Sequence, residues 1–407
     1  MTEHLLQKQL EKKEMELKAL LEITQAINDN VSEDSLYKIF KFTVLSNLRL
    51  KKFALFVFED VWVGKVFYGL KSDLSKFLLD SGFSSVKEIT PLKQITSNPV
   101  VDEFDLVIPV THQDRTLALV FVEDKNQDSD HHGRDEKLGF LQALSNIILV
   151  AIENQKLAHQ ALHQEAYRKE LEIARDVQQL LFPEQLPNSG NVMLKASYLP
   201  HDRIGGDYYD YIPFDEHAFM VCIADVSGKG VGAALMMSNF QASLRALVRQ
   251  TRNLKEIVET LNQQVLEATK GEKFITAFLA IYDARENSFR YINAGHNPPV
   301  LITADGKMQL LEIGCTVLGA TKKIQAIHEG HLEHLRDFLL FCYTDGLTET
   351  INEQGLEYGL QPVLDYFENG KARDLGIIHQ DIIIALDGFK GRNGYRDDIT
   401  LLSCRVQ

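Results

Sequence analysis

Proline is absent from position 110 to position 182 of this 407-residue chain. Nothing in that stretch therefore forbids a long uninterrupted helix. Cysteine is scarce: Cys222, Cys315, Cys342 and Cys404 show no C-x-x-C spacing, and none lies earlier in the chain. That excludes a disulfide scaffold and reads as reduced thiols. No apolar run approaches the ~18–20 residues of a membrane helix; 147–152, IILVAI, is typical of the longest. The opening, MTEHLLQKQLEKKEMELKAL, alternates charges and has no signal-peptide core, so a cytoplasmic location is expected. Basic residues are outnumbered 43 to 57, a net charge of −14. That balance works against nucleic acid and anionic membranes as partners. No internal repeat or low-complexity tract appears. With 45% hydrophobic and 25% charged residues, the chain reads as ordinary globular protein of two or three domains.

What is present falls into four stretches. Residues 1–30 carry an amphipathic helix with Leu6, Leu10, Leu17, Leu20, Leu21 and Ile27 near helical spacing among Glu and Lys. Such a terminal helix is solvated at its start and often pairs with a copy of itself. Residues 31–150 read as an α+β domain in the order helix, strands, helix, strands. Its strands are FALFVFED (53–60), VWVGKVFYGL (61–70), FDLVIPV (104–110) and LALVFVEDK (117–125). The last two form a hairpin around Thr111-His112-Gln113-Asp114, and the sheet is antiparallel. From about Asp135 to Leu181 the chain reads as one helix stopped by Pro183, about 45 residues where ~11–12 is ordinary. Ile147, Ile148, Ala151, Leu157, Ala161, Leu171, Ala174, Val177 and Leu181 drift around one face. The first part of this helix closes the preceding domain. Its continuation, 151–184, is expected to be a parallel dimeric coiled-coil linker; a helix packed on its own sheet is the plainer alternative. Residues 185–407 form the last domain. Strands are expected at 218–225, 274–283, 289–294, 299–303, 337–345 and 399–404, with helices at about 231–250, 254–269, 359–369 and 374–386.

Four acidic clusters mark the last domain: Gly205-Gly206-Asp207-Tyr208-Tyr209-Asp210, Ala224-Asp225-Val226-Ser227-Gly228-Lys229-Gly230, Tyr343-Thr344-Asp345-Gly346-Leu347-Thr348-Glu349 and Arg396-Asp397-Asp398-Ile399-Thr400. Singly, each reads as a turn. Jointly they place carboxylates at strand ends, with Asp225 and Asp345 after strands and Asp397 and Asp398 before one. Carboxylates that converge on one sheet edge repel, and a hard divalent cation relieves them. With no His cluster or thiolate pair beside them, Mg²⁺ or Mn²⁺ suits better than zinc. Two such ions ~3.5–4 Å apart would orient a phosphoryl group for in-line attack by water. Ser227-Gly228-Lys229-Gly230 lacks the spacing of a nucleotide P-loop.

Residues from about 170 to 407 resemble the SpoIIE/RsbU-type branch of the metal-dependent protein phosphatases (PPM). The resemblance rests on ARDVQQLLFP (174–183), the GGDYYD segment (205–210), ADVSGKGVGAALMM (224–237), INAGHNPP (292–299), YTDGLTE (343–349) and RDDIT (396–400). It implies an α/β sandwich of two antiparallel sheets flanked by helices. It also implies two Mn²⁺ or Mg²⁺ ions held by Asp207, Asp225 as the bridge, the Val226 carbonyl, Asp345 and Asp397, with Asp398 as an adjacent support. The chain departs from many eukaryotic relatives, which place a His two residues after the bridging Asp where Ser227 stands. They also carry a phosphate-holding Arg before the first ligand, a position near which Arg203 lies. In the resembled family, helices after the first acidic motifs act as a switch that completes the metal site. His296 is read as a structural loop residue.

The 31–150 stretch is similar in architecture, though not in motif, to a GAF sensor domain. The lack of cysteine there excludes a thiol-linked bilin. His112, His131 and His132 read as solvated loop residues rather than metal or haem ligands, since His131-His132 sits in the charged run EDKNQDSDHHGRDE. Trp62 reads as core. The expected function is a regulated protein serine/threonine phosphatase, dimeric through its N-terminal domain and coiled coil. Its substrate would be a STAS-type anti-sigma-factor antagonist in bacterial partner switching. The alternative is a catalytically inactive scaffold that binds partner proteins. A metal-dependent nuclease is disfavoured by the lack of a basic stripe.

Overall fold

The computed structural model describes residues 2–48, 50–70, 79, 83, 85–95, 103–112, 115–123, 131–370 and 374–407. Gln113 and Asp114 of the expected hairpin turn, and most of the span of the second expected helix, lie outside these residues. The chain divides into two units, Met1–Glu165 and Ala166–Gln407. Among the described residues, no helix is long and apolar enough to cross a membrane.

The first unit carries helices α1 (Thr2–Asn28) and α2 (Glu33–Leu48) and strands β1 (Phe53–Glu59), β2 (Val61–Tyr68), β3 (Thr90–Pro91), β4 (Leu106–His112) and β5 (Arg115–Val122). The strands form one antiparallel sheet in the order β2-β1-β5-β4-β3. Side chains alternate across a strand. Phe53, Leu55 and Val57 face a core shared with the helices, while Ala54 and Phe56 face a second core with Phe83, Phe104 and Phe121. Burial on both faces explains why β1 reads as a continuous apolar run. Trp62 is core, as expected.

Helix α3 spans His131–Gln179. It begins earlier than Asp135, so His131 and His132 open a helix rather than sit in a loop. Phe140, Leu141, Leu144, Ile148, Leu149 and Ile152 recur at three- and four-residue spacing and close the first unit's core. Beyond them the apolar residues face solvent: Leu157, Leu162, Tyr167, Ile173 and Val177 are each more than half exposed.

The second unit is a sandwich of two sheets. One runs β14 (Gly314–Cys315), β11 (Ser288–Ala294), β10 (Ile275–Asp283), β9 (Ala218–Val226), β8 (Tyr208–Pro213), with β15 (Gly330–Leu332) also on β11. The other runs β13 (Met308–Leu310), β12 (Val300–Thr303), β16 (Phe338–Tyr343), β17 (Ile399–Val406), β7 (Val192–Leu199), β6 (Asn188–Ser189). Neighbours are antiparallel except the two-residue β11–β14 pairing. Phe219, Val221, Ile223, Phe278 and Tyr291 of the first sheet meet Leu301, Leu340, Cys342, Leu402 and Cys404 of the second. Helices α4 (Val231–Val248) and α5 (Leu254–Thr269) cover the outer face of the first sheet. Helices α7 (Gln361–Gly370) and α8 (Leu375–Lys390) cover that of the second, together with the short α6 (Asp345–Thr348). All four cysteines are free, and only Cys315 is not fully buried.

Helix α8 is pinned to its sheet by a buried polar bridge. His379 Nδ1 lies 2.9 Å from Ser197 Oγ on β7, and its Nε2 lies 2.8 Å from Ser403 Oγ on β17. Burial, then the nearby Lys195 charge, pushes His379 from 6.5 down to about 3. The unfolded chain therefore takes up this proton first, so the bridge's stability is complete above pH 6.5 and is lost as pH falls from there toward about 3. One proton corresponds to a slope of about 1.4 kcal/mol per pH unit at most. His379→Asn should flatten the pH dependence of the urea midpoint between pH 4.5 and 6.5, followed by far-UV circular dichroism. The Trp62 fluorescence transition in the first unit should not respond.

Candidate metal centre

The register of the sandwich brings the acidic clusters to one end. Tyr208 pairs with Ala224, so Asp207 stands just outside β8, beside Asp225 at the end of β9. In the other sheet Tyr343 pairs with Leu401 and Thr344 N–H donates to the Thr400 carbonyl at 3.1 Å. Asp345, following β16, therefore neighbours Asp397 and Asp398, which precede β17. Asp207 is fully buried and hydrogen-bonded to Asp225. Its Oδ2 accepts from Thr344 Oγ1 at 2.8 Å and Thr400 Oγ1 at 2.6 Å.

Asp398 holds the loop ahead of β8. Its carboxylate accepts the His201 and Gly206 N–H groups, both at 2.7 Å. The approach leaves no room for a side chain at 205: a Cβ there would sit 2.0 Å from Asp398 Oδ2. A Cβ on Gly346 would sit 2.1 Å from the Asp398 carbonyl, so glycine is also required where α6 crosses β17. Asp397 Oδ1 accepts the Asp398 N–H at 2.9 Å, and its Oδ2 pairs with Lys229 Nζ at 3.0 Å. Lys229 also donates to the Arg396 carbonyl. The Val226 carbonyl faces the Gly206 backbone.

This end of the sandwich is electrostatically costly. Burial, then the Asp225 and Asp398 charges, raises Asp207 well above the usual carboxylate range. Burial, then Asp345, Asp397 and Asp398, pushes Asp225 up to about 7. Burial, then Glu349 and Asp397, pushes Asp345 up to about 6. Burial also raises Asp398, against the N–H groups of His201 and Gly206. The structure joins Asp207 to Asp225 and brings Asp345 and Asp397 within electrostatic reach. Among the described residues, however, no three acidic, His or Cys side chains converge as a closed ligand shell. The donors on offer are carboxylate and carbonyl oxygens, the set a hard divalent ion prefers. The residues thus fit Mg²⁺ or Mn²⁺.

The other singled-out residues are tied into the scaffold. Ser227 Oγ accepts the Phe274 N–H at 2.9 Å and fastens the entry to β10. Arg203 is paired with Glu172 of α3. His296 is buried, with Nδ1 2.9 Å from Thr276 Oγ1, and Thr276 is the cross-strand neighbour of Asp225. Its N–H donates to Asn293 Oδ1 at 2.7 Å, and burial pushes its ring down to about 4. Two contacts went unread in the sequence. Asp210, fully buried, accepts Arg245 of α4 through Nε and Nη2 at 2.8 and 2.9 Å and also accepts the Tyr208 hydroxyl. Gln178, near the end of α3, donates from Nε2 to the Gly205 carbonyl at 2.7 Å. Asp210 lies in the GGDYYD segment, but its partner is 35 positions away and nothing local marks it.

Residues 215–407 match the protein family described as Stage II sporulation protein E (SpoIIE). The SiaA-PP2C domain of Pseudomonas aeruginosa superposes with a TM-score of 0.54 over 61% of this chain and 100% of that chain, at 20% identity. Residues 215–407 thus match the SpoIIE family, and the second unit has the fold of the SiaA-PP2C domain. Among curated proteins, the phosphoserine phosphatase RsbU of Bacillus subtilis (strain 168) is 29% identical over 253 residues, covering 61% of this chain and 73% of RsbU. The phosphoserine phosphatase RsbP of the same organism is 26% identical over 186 residues, 45% of this chain and 46% of RsbP. The match thus spans less than half of RsbP's length. The fold read from the sequence, two sheets flanked by helices, is the one the second unit shares with the SiaA-PP2C domain.

The raised carboxylates set the sign of a stability effect. Groups whose folded value is raised stabilise most below their ordinary range and lose that contribution as pH rises through the folded value. The metal-free second unit should therefore lose stability as pH rises from about 4 to about 7. Asp225→Asn should raise the metal-free melting temperature at pH 8 by a few degrees, measured by scanning calorimetry, and should abolish any further rise on adding Mn²⁺.

Proposed function

We propose that this chain is a metal-dependent protein phosphatase acting on phosphoserine or phosphothreonine. The observation that carries the reading is the gathering of Asp207, Asp225, Asp345 and Asp397 at one end of a PP2C-type sandwich, with ionisation of the buried members suppressed. Asp207, Asp225, the Val226 carbonyl, Asp345 and Asp397 would hold two Mn²⁺ or Mg²⁺ ions. The ions supply Lewis-acid activation of water and of the phosphoryl oxygens. The chain's own contribution is positional. Asp398 fixes the loop that presents Asp207, Thr276 and His296 back the strand that presents Asp225, and Lys229 steadies Asp397.

Regulation through α3 is supported by where that helix ends. Gln178 grips Gly205, two residues from Asp207. The Leu181 carbonyl accepts from Gln241 of α4 at 3.2 Å, and Phe182 stacks on Tyr209 at 4.8 Å. A displacement of the helix end would thus reach both the Asp207 loop and α4. Dimerisation through the linker is supported by the exposed Ile173 and Val177, which fall on one helical face at four-residue spacing, with Leu180 exposed in the turn that follows. A phosphorylated STAS-type anti-sigma-factor antagonist is the substrate in keeping with the resemblance to RsbU-type phosphatases, and the 31–150 stretch would sense the signal.

The test is hydrolysis of p-nitrophenyl phosphate and of a phosphoserine protein by the full chain, with Mn²⁺, with Mg²⁺ and with chelator. Turnover should require metal and fall by roughly a hundredfold or more in Asp225→Asn. Absence of metal binding by calorimetry would replace the enzyme with a partner-binding scaffold. Light scattering should report a dimer that Ile173→Glu with Val177→Glu converts to a monomer.

A further inference from the structure

We propose that Thr344 and Thr400 are positioning residues of the metal centre: their two hydroxyls jointly occupy Oδ2 of Asp207, so that Oδ1 is the oxygen Asp207 presents to a divalent cation. The inference rests on the metal-dependent reading above and adds residues to which that reading assigns no task.

The geometry leaves the hydroxyl protons little choice. Thr344 Oγ1 accepts the Thr400 N–H at 2.9 Å, which commits a lone pair and turns its proton away from that bond. The proton has two acceptors in reach, Asp207 Oδ2 at 2.8 Å and the Asp398 carbonyl at 3.3 Å, and the Asp207 oxygen is the nearer. Thr400 Oγ1 donates to the same Oδ2 at 2.6 Å. Both threonines are fully buried, so no water competes for these bonds. A carboxylate offers roughly four acceptor sites, two on each oxygen. Two short bonds fill those of Oδ2 and leave those of Oδ1.

The sequence separation shows what the pair accomplishes. Asp207 enters from the loop before β8, in one sheet, whereas Thr344 follows β16 and Thr400 lies in β17, in the other. The two bonds therefore lock one candidate ligand of the first sheet to the sheet that carries two of the others, Asp345 and Asp397. Threonine suits the task because its branched Cβ restricts χ1, holding each hydroxyl in one direction. Carboxylates that ligate metals are themselves hydrogen-bonded, and removing such a partner typically weakens metal affinity by about 10–100-fold.

The experiment is calorimetric titration of the full-length chain with Mn²⁺, comparing wild type with Thr344→Val, Thr400→Val, Thr344→Ser and Thr400→Ser. Valine keeps the shape and deletes the hydroxyl; serine keeps the hydroxyl. Each valine variant should bind Mn²⁺ about tenfold more weakly, and the Mn²⁺ concentration for half-maximal turnover should rise by the same factor. Each serine variant should stay within about threefold of wild type. Valine variants with wild-type Mn²⁺ affinity would overturn the proposal. So would serine variants that lose affinity tenfold, an outcome readable even if the valine variants do not fold. A wild type that binds no Mn²⁺ at all would instead sink the functional reading on which this one stands.

Discussion

Repulsion among carboxylates crowded at one end of a β-sandwich is the constraint around which the second unit is organised. Burial and mutual repulsion raise Asp207, Asp225, Asp345 and Asp398 together. A fold that wanted only stability would not put them there. The surrounding structure is accordingly stiff. Asp398 is tied to the backbone N–H groups of His201 and Gly206, and Asp207 to two buried hydroxyls. Glycines at 205 and 346 let main chain and carboxylate approach where any Cβ would collide. The strain of assembling the site is spread over hydrogen bonds that are themselves shielded from water, which strengthens them.

The same crowding shapes the local contacts of the acidic cluster. Asp207 and Asp225 share a hydrogen bond and Asp397 leans to Lys229, and among the described residues no three acidic, His or Cys side chains close into a shell. The cluster also leans on neighbouring backbone and side chains. Two supports come from elements outside the sheets: Gln178 of α3 on Gly205, and Arg245 of α4 on the buried Asp210. These are the points at which movement of a helix would be felt by the site.

The first unit obeys a different logic. Its sheet is buried on both faces, one by α1, α2 and the first part of α3, the other by a cluster rich in phenylalanine around Phe121. Helix α3 changes character along its length. Its apolar residues are core up to Ile152 and face solvent from Leu157 onward. The missing prolines made that length legible, but not the point of change, since a 3.6-residue pattern looks alike whether a sheet or another helix covers it.

What the amino-acid sequence determined by itself was local: strands and helices through their periodicity, the long helix through its lack of proline, and an acidic cluster at each strand end through Asp beside Gly. The family resemblance then assigned Asp207, Asp225, Val226, Asp345 and Asp397 their expected tasks. Only the tertiary structure decided which polar groups surround them. Thr344, Thr400, Asp210 and Arg245 are unremarkable in one dimension, because a hydrogen bond over 137 or 193 positions leaves no periodic trace. The sequence-level reading of Arg203 and Ser227 was open for the same reason, and the structure commits them to Glu172 and Phe274. Sheet register, which a chain expresses only when two distant strands meet, is what turns four turn-like clusters into one site.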